Sequence, residues 1–309
     1  MRVPRLTPST YRTVTVLALV ALCVIVVTGA AVRLTDSGLG CPEWPNCEPG
    51  TLAPHGARGA HGWVEFVNRV ITGVVSLAVI LAVLGSLRRI PRRRDLIALS
   101  LGLVAGVVGQ IILGRFTVTF DLAPPLVMGH FLLSLVLVAT AVALHHRAAA
   151  PDDDAPADVV PGLRTAARWL VVAAAVVVTT GTVVTGTGPH GGDAEAPRLH
   201  LSVSEVARVH GVAVNVLVAA TLLTLVLVHR RHASPAVVGR ARALLAVELA
   251  QAAVGYTQYF TGVPELLVGV HVLGAVAVWV AVCRLAVLTV GGPASAADRR
   301  GPDRIAVAS

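Results

Sequence analysis

The sequence predicts an all-α integral membrane protein, with eight transmembrane helices arranged as two pseudo-twofold related four-helix bundles. Three observations carry this expectation. Hydrophobic residues make up 55% of the 309 residues and charged residues only 14%, and the mean hydropathy is +0.77, far from the balance of a soluble domain. Apolar stretches of about 20 residues, the length that crosses hydrocarbon as a helix, recur along the chain. A pattern also occurs twice: Gln110, Gly114 and His130, then Gln251, Gly255 and His271, with Gln to Gly 4 residues and Gln to His 20 in each copy.

The apolar stretches place spans at 13–33, 65–87, 96–115, 126–146, 166–186, 206–228, 241–260 and 266–289. The first is too long for a simple signal peptide and lacks a small-residue cleavage site followed by a soluble domain. Val, Ala, Leu and Gly dominate, and glycine permits close helix contact. Arginines mark alternate connections: Arg2, Arg5 and Arg12; Arg88, Arg89, Arg92, Arg93 and Arg94; Arg230, Arg231, Arg240 and Arg242; Arg299, Arg300 and Arg304. Basic connections stay cytoplasmic, so the expected location is the cell membrane, multi-pass, with both termini cytoplasmic. The net charge of +8 is thus a topology signal, and its division among short loops argues against nucleic-acid binding. The expected organisation is an N-terminal half over 1–150, a cytoplasmic linker over 151–165 containing Asp152, Asp153 and Asp154, a C-terminal half over 166–290 and a cytoplasmic tail over 291–309. Even helix numbers in each half give repeats related by an axis along the membrane normal.

Cys41 and Cys47 lie in the first outer loop, GLGCPEWPNCEPG. An oxidising compartment favours a disulfide there, and two cysteines without two nearby partners fall short of a zinc set. Cys23 and Cys283 lie within spans and read as small apolar residues.

An imidazole in an apolar span is costly, and intramembrane ionisable groups mark function by default. His130, His210 and His271 all fall toward the outer ends of their spans. The repeat extends to Thr28-Gly29, which aligns with Thr180-Gly181. His210 precedes His271 by 61 residues, and the same distance before His130 lands within one residue of Asn68. His210 and His271 are positioned to clamp a haem iron from both sides within one bundle. The first half offers Asn68 instead, with Glu65 and His61 on the same helical face and His61 about 10 Å nearer the surface. Each residue also has a plainer reading: Glu65 paired with His61 or Arg69, His61 as an ordinary interfacial group, and Gln110 and Gln251 as helix-joining donors. Arg69 and Arg208 adjoin the sites and suit haem propionates, or else anchor the outer leaflet.

On these residues the chain resembles the haem A synthase family. The likeness covers nearly the whole chain: eight spans in two halves, the outer-loop cysteine pair, and histidines near the outer ends of spans four, six and eight. The GLGCPEWPNC loop is the most specific local match. The stretch Glu65-Phe66-Val67-Asn68-Arg69 follows, where the family commonly has His in place of Asn68. The resemblance implies oxidation of the C8 methyl group of haem O to a formyl group, by two successive hydroxylations and loss of water, giving haem A for cytochrome oxidase. It implies a haem b (iron) held by His210 and His271, and substrate haem O received in the first half at His130. It makes Glu65 essential to the chemistry and associates Cys41 and Cys47 with the reaction cycle or haem handling. Asn68 leaves the substrate haem one strong axial ligand, and His61 is the available but displaced substitute. Haem O synthase and cytochrome oxidase assembly factors are the implied partners, besides the lipid bilayer. The rival reading is a membrane di-haem b electron-transfer protein linked to quinol, which accounts for His210 and His271 but gives Glu65 no purpose.

Overall fold

The computed structural model describes residues 5–56, 59–150 and 160–289. Arg2, Asp152, Asp153, Asp154, Arg299, Arg300, Arg304, most of the expected linker and the tail lie outside the described residues. The described residues form eight α-helices: α1 (Pro8–Leu34), α2 (Gly59–Arg88), α3 (Arg94–Thr119), α4 (Pro124–Ala149), α5 (Leu163–Thr187), α6 (Val203–Arg230), α7 (Pro235–Phe260) and α8 (Glu265–Ala286).

Most of the helices overrun the apolar stretches that announce them, because polar and basic residues continue the end turns. The Thr7 side chain caps α1 by accepting from the Thr10 amide, and Pro opens α1, α4 and α7 where its missing N–H costs nothing. Gly162 stands before α5 with φ 85°, a conformation costly for any residue with a Cβ.

Seven of the eight helices are long and apolar enough to cross a membrane, and the chain reads as a multi-pass membrane protein. The exception is α7, although the sequence also predicts a span there. It carries Glu248, Gln251 and Gln258 among its apolar residues. A helix so marked needs neighbours to satisfy its polar groups before it can lie in lipid.

Helix α1 packs on α2 and α4, and α3 on α2 and α4; α5 packs on α6 and α8, and α7 on α6 and α8. Helix α8 also meets α1 and α4, and α4 meets α5. One apolar core runs through these contacts. Within it Trp279 on α8 donates its indole N–H to the Leu135 carbonyl of α4 at 2.8 Å, satisfying the one polar atom of a buried ring. Exposed Val and Leu on the outward faces suit lipid.

At the end of the molecule bearing the disulfide, the Gly38 amide donates to the Gly192 carbonyl at 2.7 Å, and Arg33 donates to the Thr185 carbonyl at 3.1 Å. The connection after α1 is thereby tied to the connection after α5. The Cys41–Cys47 disulfide is formed, as the loop sequence predicts. Cys283 is buried and Cys23 half-buried, both as free thiols.

Candidate functional site

Each histidine singled out by the repeat is seated on a glycine of the preceding helix. A methyl group on Gly114 of α3 would lie 3.4 Å from Cε1 of His130 on α4. The same construction gives 3.1 Å from Gly181 of α5 to His210 of α6, and 2.9 Å from Gly255 of α7 to His271 of α8. Glycine here makes room for a ring between two closely packed helices.

The glutamines bind the helix pairs together at the same level. Gln110 donates to the His130 carbonyl at 3.0 Å and to the Ser134 hydroxyl at 2.6 Å, and Gln251 donates to the His271 carbonyl at 2.7 Å. They hold the backbone of the histidine and leave its ring free. The ring of His210 is oriented by Thr180, whose Oγ1 lies 3.1 Å from Nδ1. That hydroxyl is also 2.9 Å from the Val176 and Val177 carbonyls. Its single proton goes to the helix, so the imidazole N–H donates from Nδ1 and Nε2 keeps a free lone pair. Such a partner on the second nitrogen orients a metal-binding histidine.

The rings of His210 and His271 face each other with centroids 6.5 Å apart and planes at 72°. Two metal–imidazole bonds of about 2 Å each, with the ring radii, fill about that span. Nδ1 of His271 and Nδ1 of His130 are buried and make no hydrogen bond, an expensive state for an imidazole that does nothing. Among the described residues no group of three or more His, Cys, Asp and Glu gathers to hold a bare metal ion. A macrocycle that brings its own equatorial nitrogens needs only two axial ligands, so a haem suits this pair where a simple ion does not.

The first four helices present a different arrangement. Thr28 donates to Oδ1 of Asn68 at 2.9 Å, the counterpart of Thr180 beside His210. A methyl on Gly29, the counterpart of Gly181, would have nothing within 4 Å. The space that an imidazole fills in the other three places is open, and an apolar groove of about 330 Å³ lies there between α1 and α2, with Thr28 and Asn68 in its wall.

Glu65 is buried on α2. Its carboxylate accepts the Cys41 amide at 2.7 Å and the Arg69 guanidinium through Nε at 3.1 Å and Nη2 at 2.5 Å. Arg69 further donates to the carbonyls of Cys41, Glu43 and Asn46, which engages all five of its N–H bonds. This pair therefore clasps the disulfide loop to α2. His61 is exposed and lies 3.1 Å from the Ser37 hydroxyl through Nδ1, bracing the same connection.

Sequence reasoning missed the threonine partner of His210 and the glycine seats, although Thr28-Gly29 and Thr180-Gly181 stand aligned in the repeat. It also missed Glu248, whose signal was plain: a lone acid within an otherwise apolar stretch of α7.

Fold and site define a helical multi-span membrane protein with paired histidines on facing helices. The chain belongs to the cytochrome oxidase assembly protein (COX15-CtaA) family, whose profile matches residues 12–191. The matched stretch contains Glu65, Asn68 and His130, while His210 and His271 lie beyond it. The chain is 30% identical over 148 residues to the heme A synthase of Shewanella oneidensis, covering 42% of this chain and 43% of that protein. Over 130 residues it is 31% identical to the heme A synthase of Lysinibacillus sphaericus, covering 42% of each, and 26% identical to that of Alkalihalophilus pseudofirmus, covering 42% and 43%. The chain thus spans less than half the length of the curated relatives it matches.

Proposed function

We propose that this protein is a haem A synthase: an oxidoreductase that takes the C8 methyl group of haem O to a formyl group by two successive hydroxylations and loss of water. The observation that carries the reading is the His210–His271 pair, two facing imidazoles 6.5 Å apart in a bundle formed by α5–α8. In this reading the halves are pseudo-twofold related bundles, the disulfide end faces outward and both termini are cytoplasmic.

His210 and His271 hold haem b, and Thr180 fixes the tautomer that presents Nε2 of His210. A haem b held there by His210 and His271 would supply one-electron redox chemistry, and with both histidines engaged it would act as an electron carrier and not as a substrate site. The substrate is received among α1–α4, where His130 offers one ligand. Asn68, held by Thr28 beside the open space over Gly29, leaves the opposite face without a second strong ligand. Glu65 is the buried carboxylate of α2 beneath the loop and the candidate to exchange protons during oxidation. Arg69 holds it, and the Cys41–Cys47 loop, over that end of the helices. Haem O synthase and cytochrome oxidase assembly factors are the candidate partners in this role.

One observation favours a di-haem b relay linked to quinol instead: Glu65 is engaged by Arg69 and by the Cys41 amide, as a structural residue would be. Haem extraction separates the two. The synthase reading expects haems B, O and A together in the wild type, with haem B lost from His271→Ala and retained in His130→Ala. Haem B alone at both sites, lost site by site in the two variants, establishes the relay.

A further inference from the structure

Glu248 is a buried acid that the scheme above does not use. It lies in the middle of α7 at 3% exposure. Its Oε1 accepts from the Thr221 hydroxyl of α6 at 2.9 Å, while Oε2 is buried and makes no hydrogen bond. Glu248 takes part in no ion pair among the described residues.

This carboxyl belongs to a polar file. Glu248, Gln251, Gly255 and Gln258 share one face of α7, since their spacing keeps them within about 80° of arc at 3.6 residues per turn. Gln251 grips the His271 carbonyl, and Gly255 seats the His271 ring. Oε1 of Gln251 and Oε1 of Gln258 are, like Oε2 of Glu248, buried without a partner. Buried polar atoms are satisfied by protein or by ordered water. Three unsatisfied acceptors spread over about 15 Å of one helix face form a route of polar atoms from Glu248 toward the end of α7 at Phe260. The same route is not built on α3. Three residues before Gln110 stands Val107, and Thr117, the counterpart of Gln258, spends its hydroxyl on the Gly114 carbonyl.

We propose that Glu248 is a proton-binding site coupled to the electron occupancy of the His210–His271 centre, supplied along this file; the inference rests on the haem b reading above. Glu248 lies seven residues, about 10 Å along α7, from the Gly255 seat of His271. An electron entering the centre adds negative charge that reaches this carboxylate through a poorly screened interior and raises the cost of leaving it ionised. For each electron that enters, Glu248 takes one proton from the aqueous phase; when the electron leaves, it releases that proton. In a redox titration the electron comes from dithionite, which is oxidised to sulfite, and it is taken back by added ferricyanide. Few other groups compete. Helices α6 and α8 pack on α7, and neither carries a titratable side chain between His210 and His229 or between His271 and Cys283. The groups that bound this region are those four and Arg284, with Arg240, Arg242, Tyr256 and Tyr259 on α7 itself.

The test is a redox titration of haem b in the purified protein at a series of pH values, with reduced-minus-oxidised infrared spectra. The wild-type midpoint potential falls as pH rises, and a carboxyl C=O band accompanies reduction. In Glu248→Gln the potential is independent of pH and the band is lost. In Thr221→Val the carboxylate loses a donor, so the pH-dependent range moves upward. A flat wild type, an unchanged Glu248→Gln or an unmoved Thr221→Val overturns the proposal while leaving haem b in place. A protein without six-coordinate haem b overturns this inference and the functional reading together.

Discussion

The α1–α2 pair and the α5–α6 pair are built alike up to one side chain. Thr28, Gly29 and Asn68 stand where Thr180, Gly181 and His210 stand, and in both pairs the threonine hydroxyl meets the polar side chain across the helix contact. The hydroxyl and the glycine seat are thus present at a place where there is no ring to use them. The difference between the two helix pairs therefore lies in a substituent and not in the scaffold. The α3–α4 and α7–α8 pairs repeat the lesson. Their glutamine clasps and glycine seats match, while Val107 on one side corresponds to Glu248 on the other.

The largest effects come from exchanging the substituents. Asn68→His should be accepted without distortion, because Gly29 leaves the ring its space and Thr28 is placed to receive its Nδ1–H. The expected outcome is a second six-coordinate haem spectrum and loss of turnover, read by low-temperature absorption and haem extraction. The reciprocal His210→Asn should abolish the six-coordinate haem b signal and leave His130 with its occupant. If Asn68→His keeps wild-type spectrum and activity, ligand number does not distinguish the two halves.

How far the sequence foretold this contrast depends on the distance over which each feature acts. The Gln–Gly–His spacing is local to one hairpin, so both copies were legible. Counting 61 residues back from His271 gives His210, while the same count from His130 lands within one residue of Asn68. The Glu65–Arg69 pair was legible as an i,i+4 contact on one helix. Its grip on Cys41, Glu43 and Asn46 was not, because those bonds depend on how the loop folds back over α2. The glycine seats were present in the repeat but without meaning, since what a glycine faces on the neighbouring helix is a tertiary fact. The spans were recognised by apolar length, which underestimated the helices at polar ends. The same rule made α7 look like its neighbours, although Glu248, Gln251 and Gln258 set it apart.

A smaller effect isolates the threonine. Thr180→Val keeps the volume of the side chain but removes the acceptor for Nδ1–H of His210. Losing such an orienting partner costs about 10–100-fold in metal affinity, so haem b should dissociate faster by about that factor in a competition with apomyoglobin. Thr28→Val removes the matching hydroxyl from Asn68, and haem b retention should stay at the wild-type rate. Equal losses in the two variants would mean that the hydroxyls act on helix packing and not on the ring.

The smallest differences should appear at the glycine seats, and they should be graded. A methyl on Gly255 meets His271 at 2.9 Å and one on Gly181 meets His210 at 3.1 Å, whereas on Gly114 it meets His130 at 3.4 Å. Overpacking a filled site costs about 1–3 kcal/mol, so Gly255→Ala should lose the most stability and haem b, with Gly181→Ala next. Gly114→Ala sits at the edge of ordinary contact and should be tolerated by the His130 ring. Gly29→Ala meets nothing, and alanine is the better helix former by about 1 kcal/mol. That variant should melt at or slightly above the wild-type temperature and keep its haem b. The order of the four melting temperatures, measured in one detergent, therefore reports which seats carry a ring. A Gly29→Ala protein as damaged as Gly181→Ala would mean that the space beside Asn68 is filled in the working protein, and that the two helix pairs differ less than their side chains suggest.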